Sequence, residues 1–338
     1  MVSVLTQIKE TQAANPIDRL LAATATDMAK VNALILSRAD SHVEMVPDLA
    51  RYLIESGGKR LRPMLTVAAA MLFGKGSGTA INFAAAVEFM HNATLLHDDV
   101  VDDSDMRRGK PAARMVWGNK ASILVGDFLL GQAFMMMVET GDIASLGVLS
   151  SASAVMAEGE VFQLAKTGDL TTTPEDYAEV IRAKTAVLFQ AACEVGAMSS
   201  GADETGRQAL ATYGLELGKA FQLVDDALDY GGQSGTLGKN VGDDLREGKM
   251  TLPVILAYAR GTGEERKFWE EAIAGFRTED EDLAHAVALI RKHDAVEATR
   301  ERARLYAQRA CDALSIFPDG RARAAMVEAA QFAVSRGY

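Results

Sequence analysis

Residues 79–103, TAINFAAAVEFMHNATLLHDDVVDD, read as one apolar helix whose last turns are acidic. Asp98 and Asp102 stand at i and i+4, so they share one helix face about one turn apart. Like charges so placed repel, by a few tenths of a kcal/mol when exposed and by up to about 3 kcal/mol at ~6 Å and an effective dielectric of ~20. They also lie at the C-terminal end, against the helix dipole. A hard cation turns that repulsion into a binding site. Mg²⁺ takes one or two carboxylates and fills its other positions with water and phosphate. One such cluster could be a solvated helix end. The chain repeats it, however: a second helix-patterned stretch, 204–229, closes on Asp225-Asp226-Ala-Leu-Asp229.

Composition narrows the class. The 338 residues exceed the usual single-domain length, yet no Pro/Gly/Ser linker and no 20–50-residue repeat divides them. Helical patterning rich in Ala, Leu and Met continues nearly throughout, so we expect one all-α domain over 1–338, of about a dozen helices. Aromatics are only 6%, which leaves Ala, Leu, Val and Met to fill closely packed helices. Cys193 and Cys311 read as reduced buried thiols. The N-terminus lacks the basic and apolar regions of a signal peptide, and the longest apolar stretch, 122–138, is interrupted by Asp127 and Gln132 and is short for a bilayer. A soluble, cytoplasmic protein with no transmembrane segment is expected. The net charge of −11 argues against nucleic acid as partner. Two dense basic clusters therefore look like specific anion sites: Lys59, Arg60 and Arg62, then Arg107, Arg108 and Lys110.

Along the chain, helices are expected over about 16–38, 44–56, 63–73 (opened by Pro63), 79–103, 119–140, 142–166, 174–200 and 204–229. Residues 231–248, GGQSGTLGKNVGDDLREG, form a glycine- and charge-rich loop of the kind that covers ligands. The remainder is helical and serves mostly packing.

Five segments in order carry a resemblance: GGKRLRP (57–63), HNATLLHDDVVDDSDMRRGKP (91–111), AKT (183–185), FQLVDDALDY (221–230) and GKNVGDDLREGKMTLP (238–253). The chain resembles the trans-type polyprenyl diphosphate synthases, most of all the bacterial long-chain members of the octaprenyl type that supply quinone side chains. The resemblance implies an isoprenoid synthase-type helical bundle around a central apolar cavity. It implies a head-to-tail prenyltransferase joining isopentenyl diphosphate to an allylic diphosphate, farnesyl or geranylgeranyl, by Mg²⁺-assisted ionisation. Diphosphate leaves only when its developing charge is neutralised, hence the acidic motifs. Three Mg²⁺ are implied, two on Asp98 and Asp102 and one on Asp225, with Asp99, Asp226 and Asp229 orienting metal-bound waters. Lys59, Arg62, His91 and Arg108 correspond to the isopentenyl diphosphate site. Arg107, Lys184, Thr185, Gln222, Lys239 and Lys249 correspond to contacts with the allylic diphosphate; Lys184 and Lys239 are also counted with the catalytic aspartates. Arginine suits this task through its planar, bidentate fork. A homodimer, with transient membrane contact for product release, is a further family expectation.

Each assignment has a plainer reading beside it. Arg60 is expected to face solvent or a structural carboxylate, and His97 to be structural; His91, two turns before Asp98, would suit a core as well. Lys184, Lys239 and Lys249 would otherwise be ordinary solvated lysines. The tail should run from Asp98 toward the N-terminus of its helix, past Thr94 and Ala93, whose small size leaves the way open for a product of seven to ten isoprene units. Met90 and Phe89 below them, and Phe134 with Met135–Met137 on the next helix, are candidates for the floor. Phe134 is our choice, and the three methionines read as core. Rival readings are a shorter-chain synthase, a terpene cyclase, a non-catalytic partner subunit, and a di-iron bundle. The last would need a second ExxH unit beside Glu88–His91.

Overall fold

A computed structural model describes residues 16–74, 78–231, 242–274 and 279–335. Helices α1 (Pro16–Arg38), α2 (Met45–Glu55) and α3 (Leu61–Met71) lead into α4 (Gly78–Val101), which ends on the first acidic motif. A two-residue hairpin, β1 (Met106–Arg107) with β2 (Lys110–Pro111), follows. Its turn is Arg108-Gly109, both at positive φ. Then come α5 (Ala113–Trp117), α6 (Asn119–Glu139) and α7 (Ile143–Lys166), the last capped by Asp142, which accepts from the Ser145 N–H at 3.0 Å. Helix α8 (Pro174–Ile181) opens with a capping box between Thr173 and Asp176. A π-helical turn (Arg182–Ala186) joins it to α9 (Val187–Met198), and α10 (Glu204–Gly231) carries the second acidic motif. The chain closes with α11 (Asp243–Arg246), α12 (Leu252–Arg260), α13 (Gly263–Ala274), α14 (Asp280–Lys292), α15 (Ala295–Ala313) and α16 (Arg321–Ser335).

Helix α4 is apolar nearly all round, as a helix inside a bundle must be. Phe83, Ala84, Ala85, Val87 and Phe89 are fully buried against α3, α6 and α9. This is the larger of two groups of buried side chains. The smaller gathers α12, α14 and α15 around Trp269 and Tyr230. Helix α10 belongs to both, through Tyr213 and Leu217 in the first and Leu223 and Val224 in the second. Its second acidic motif is thereby tied to the main core.

Several expectations are corrected. Helix α3 begins two residues before Pro63, which sits in the first turn where its missing N–H costs nothing. The continuous helix expected over 174–200 is interrupted by the π turn, whose extra residue re-aims Lys184 and Thr185. Met135 is 52% exposed, while only Met136 and Met137 are core. Helix α6, at 21 residues, is long and apolar enough to cross a bilayer by length and composition, contrary to the estimate from 122–138. One of its faces is nevertheless closed against α4 through Val125, Leu129 and Ala133.

Helices α9 and α10 meet backbone to backbone. A Cβ placed on Gly214 would lie 2.3 Å from the Phe189 carbonyl oxygen. Gly214→Ala should therefore force the pair apart, costing about 2 kcal/mol. Thermal denaturation should show Tm lowered by roughly 3 °C; an unchanged Tm would mean the helices do not approach this closely.

Candidate active site

The acidic end of α4 is only partly open to water. Asp98 is half-buried, and burial, with Glu160 and Asp102 nearby and Lys184 opposing, pushes its carboxyl up to about 7. Lys184, on the π turn, gives its ammonium to Glu160 of α7 at 2.7 Å. The turn and α7 can approach because position 159 is glycine; a Cβ there would meet the Lys184 N at 2.9 Å. Asp102 accepts from Lys249 at 3.0 Å, and Lys249 also pairs with Glu247. Burial alone would lower the Lys249 ammonium, but Asp102, Glu247 and Asp244 outweigh it and hold its pKa above the usual lysine range. Lys249 is thus the cation paired with this acidic end.

The acidic end of α10 is organised differently. Asp226 is buried; its Oδ2 accepts from the Tyr177 hydroxyl at 2.5 Å and its Oδ1 from Gln222 Nε2 at 2.8 Å. Burial and Asp244 push this carboxyl up to about 7, against those two donors. Gln222 Oε1 accepts in turn from Thr185 Oγ1 at 2.8 Å. Asp229 accepts from the Asp244 N–H at 3.3 Å, fastening α11 to α10. Asp225 lies close enough to Arg62 to hold up a guanidinium that burial lowers to about 10.

The two acidic ends border two pockets that share Gln163 and Lys249, with Asp102 lining one and Asp226 the other. One pocket of about 170 Å³ is bounded by Asp102, Glu160, Gln163, Glu247 and Lys249. A second, of about 90 Å³, lies between Gln163, Lys184, Thr185, Gln222, Asp226 and Lys249. Gln163 and Lys249 line both. Among the described residues, no three His, Cys, Asp or Glu side chains close into a ready-made metal cage.

Basic residues gather around Glu88 and His91, two turns or more before Asp98 on α4. The Arg62 guanidinium lies 4.2 Å from the centroid of the Phe189 ring. Arg108 donates to the Gly57 carbonyl and packs over Gly58, where any Cβ would fall 2.6 Å from its Nη1. Burial and the charges of Arg62, Arg108 and Arg107 hold His91 well below its usual pKa, hence neutral. Lys59 is exposed, 4.6 Å from the Phe332 ring centroid on α16. Buried Glu88 is pushed up by burial while Arg62, Arg60 and Arg108 pull it down. Arg60 meets Asn32 of α1, not a carboxylate. His97 is structural as expected, 3.2 Å from the Ile123 carbonyl oxygen.

Residues 43–290 match the polyprenyl synthetase family. The chain belongs to that family. It is 44% identical over 320 residues to an octaprenyl diphosphate synthase of Escherichia coli (strain K12), covering 95% of this chain and 99% of the relative. An all-trans-nonaprenyl-diphosphate synthase (geranyl-diphosphate specific) of Rhodobacter capsulatus is 38% identical, with 94% and 97% covered. Among solved structures, a polyprenyl synthase from Caulobacter crescentus CB15, complexed with calcium and isoprenyl diphosphate, is 52% identical at a TM-score of 0.93, covering 97% of this chain and all of that one. The decaprenyl diphosphate synthase of Rhodobacter capsulatus is 51% identical at 0.91, covering 96% and 100%. The all-α isoprenoid synthase fold and prenyltransferase class follow, as does dependence on a divalent metal.

Some members of the polyprenyl synthetase site stand elsewhere than expected. Arg107 and Asp99 pair with each other at 2.8 and 2.5 Å, because a carboxylate that is 99% buried on its side chain needs a partner. Neither lines either pocket, and neither do Asp98, Asp225 and Asp229. Met90 and Ala93 are closed into the main core, Thr94 bonds back to the His91 carbonyl at 2.8 Å, and Phe134 is half-buried against the same core. None of the four lines either pocket. Lys239 lies outside the described residues. Reading the sequence missed Glu160, Gln163, Tyr177, Asp244 and Glu247. For the first two the signal existed, since Glu160 and Gln163 interrupt an apolar helix one turn apart.

Asp98 and Asp226 carry pKa values raised from 3.8 to about 7, so the metal-free folded chain binds protons more tightly than the unfolded one. Their cost is absent at low pH and is imposed as pH rises toward 7 and above. His91, lowered, works the other way below about pH 7. With EDTA present, Asp226→Asn should therefore gain on the parent by about 1 kcal/mol between pH 6 and 8, read from denaturation midpoints. Parallel profiles would show that Asp226 is not so shifted.

Proposed function

We propose that this chain condenses isopentenyl diphosphate head-to-tail with an allylic diphosphate, farnesyl or geranylgeranyl, to give a long all-trans polyprenyl diphosphate of the octaprenyl class for quinone side chains. The observation that carries this is that the two acidic helix ends border neighbouring pockets sharing Gln163 and Lys249, Asp102 on one and Asp226 on the other.

The donor set fits Mg²⁺. It is oxygen only, buried enough that the Asp98 carboxyl is pushed up to about 7, and it holds an ammonium on Asp102. Asp98 and Asp102 would hold two ions and Asp225 a third, with Asp229 turning a metal-bound water. Asp99 and Asp226 act instead by fixing Arg107 and Gln222. When bound, Mg²⁺ supplies neutralisation of the charge that develops on the departing diphosphate. Lys184 and Lys249, released from Glu160 and Asp102, bind the allylic diphosphate, with Gln222 and Thr185 beside them and Lys239 as a further contact. Lys59, Arg62 and Arg108 bind isopentenyl diphosphate, and His91, neutral, donates a hydrogen bond there without adding charge. The growing tail would pass Ala93 and Thr94 and then Met90 to a stop at Phe134, a path along which the packed core must part.

We take 1–338 as one domain, supported by α10's share in both groups of buried side chains. We also propose a cytoplasmic homodimer that touches membrane only to hand over its lipid product. Leu124, Val138 and Ile143, 67%, 61% and 74% exposed on α6 and α7, support a second copy seated there.

With Mg²⁺, farnesyl diphosphate and labelled isopentenyl diphosphate, purified protein should yield products of seven to ten isoprene units; failure to consume isopentenyl diphosphate would contradict the reaction class. Phe134→Ala should shift the chromatographic distribution to longer products, and an unchanged distribution removes Phe134 from that role.

A further inference from the structure

We propose that Tyr177 is a positioning residue for the allylic pocket: its hydroxyl anchors Asp226 and, through Gln222, sets the orientation of Thr185. The inference rests on reading that pocket as the allylic diphosphate site. Tyr177 sits on α8, 5% exposed, and lines the pocket together with Thr185, Gln222 and Asp226. Its O–H donates to Asp226 Oδ2 at 2.5 Å, and the other carboxylate oxygen takes the Gln222 amide N–H at 2.8 Å. When Asp226 is ionised its carboxylate only accepts, so the amide turns its nitrogen toward it. Gln222 is then left with its carbonyl for Thr185, whose hydroxyl donates to it at 2.8 Å. In that ionised form every bond direction in the chain from α8 through α10 to the π turn is fixed.

Two consequences follow. The Thr185 proton is committed to Gln222, so the hydroxyl offers the pocket lone pairs only. It serves a diphosphate through an intervening donor, such as the neighbouring Lys184 ammonium or a water, and not directly. Secondly, without the phenol one buried carboxylate oxygen loses its donor, and the order of Gln222 and Thr185 relaxes with it.

Tyr177→Phe removes a single oxygen. We expect KM for farnesyl diphosphate to rise about tenfold while KM for isopentenyl diphosphate stays within about twofold. Binding of a thiolo-diphosphate analogue of farnesyl diphosphate, which does not ionise, should weaken by a similar factor in calorimetry, a readout that needs no turnover. Because both residues act through one chain, Tyr177→Phe with Thr185→Val should cost little more than the worse single change. Circular dichroism checks that the fold is kept. Changes under about threefold, equal losses for both substrates, or additive losses in the double variant would overturn the proposal. Wild-type protein that consumes no isopentenyl diphosphate would instead sink the reading of the site on which it rests.

Discussion

Two aspartates one helical turn apart, partly buried and set at the negative end of a helix dipole, need compensating donors around them. This constraint recurs at α4 and α10, and much of the polar architecture answers it. Lys249 sits on Asp102, Lys184 is held by Glu160 beside Asp98, and Arg107 covers Asp99. The second motif meets the same difficulty with neutral donors, Tyr177 and Gln222 on Asp226. Lys184 and Lys249 are thus held beside the acidic ends by carboxylates, where a diphosphate would recruit them.

Bringing the two motifs together requires helices closer than ordinary side chains allow. Gly214 lets α10 rest on the α9 backbone, and Gly159 lets α7 rest on the π turn. That turn has its own role, since its extra residue aims Lys184 toward α7 and Thr185 toward α10 from adjacent positions.

What could be read beforehand follows physical range. Apolar periodicity is a local property, and the bounds of α1, α6 and α10 fall within about two residues of those expected from it. The acidic and basic motifs were legible because repeated like charge is improbable without a ligand. Other features depend on contacts between distant elements, and no local pattern encodes them. Whether Arg107 faces a substrate or Asp99, whether Tyr177 reaches Asp226 across 49 residues, and whether helix 174–200 takes an extra residue are settled by packing. The exposed Met135 on an otherwise core-like MMM run shows the same limit, because a helix turns every third side chain out regardless of hydropathy.

The central claim is that a metal ion displaces a lysine from a carboxylate. Anomalous diffraction from crystals soaked with Mn²⁺ and a thiolo-diphosphate analogue tests it most directly. The account predicts manganese on Asp98 and Asp102, a further ion on Asp225, and the Lys249 ammonium moved from Asp102 to the diphosphate. Manganese absent from both acidic ends, or Lys249 still paired with Asp102 in the loaded site, would contradict it.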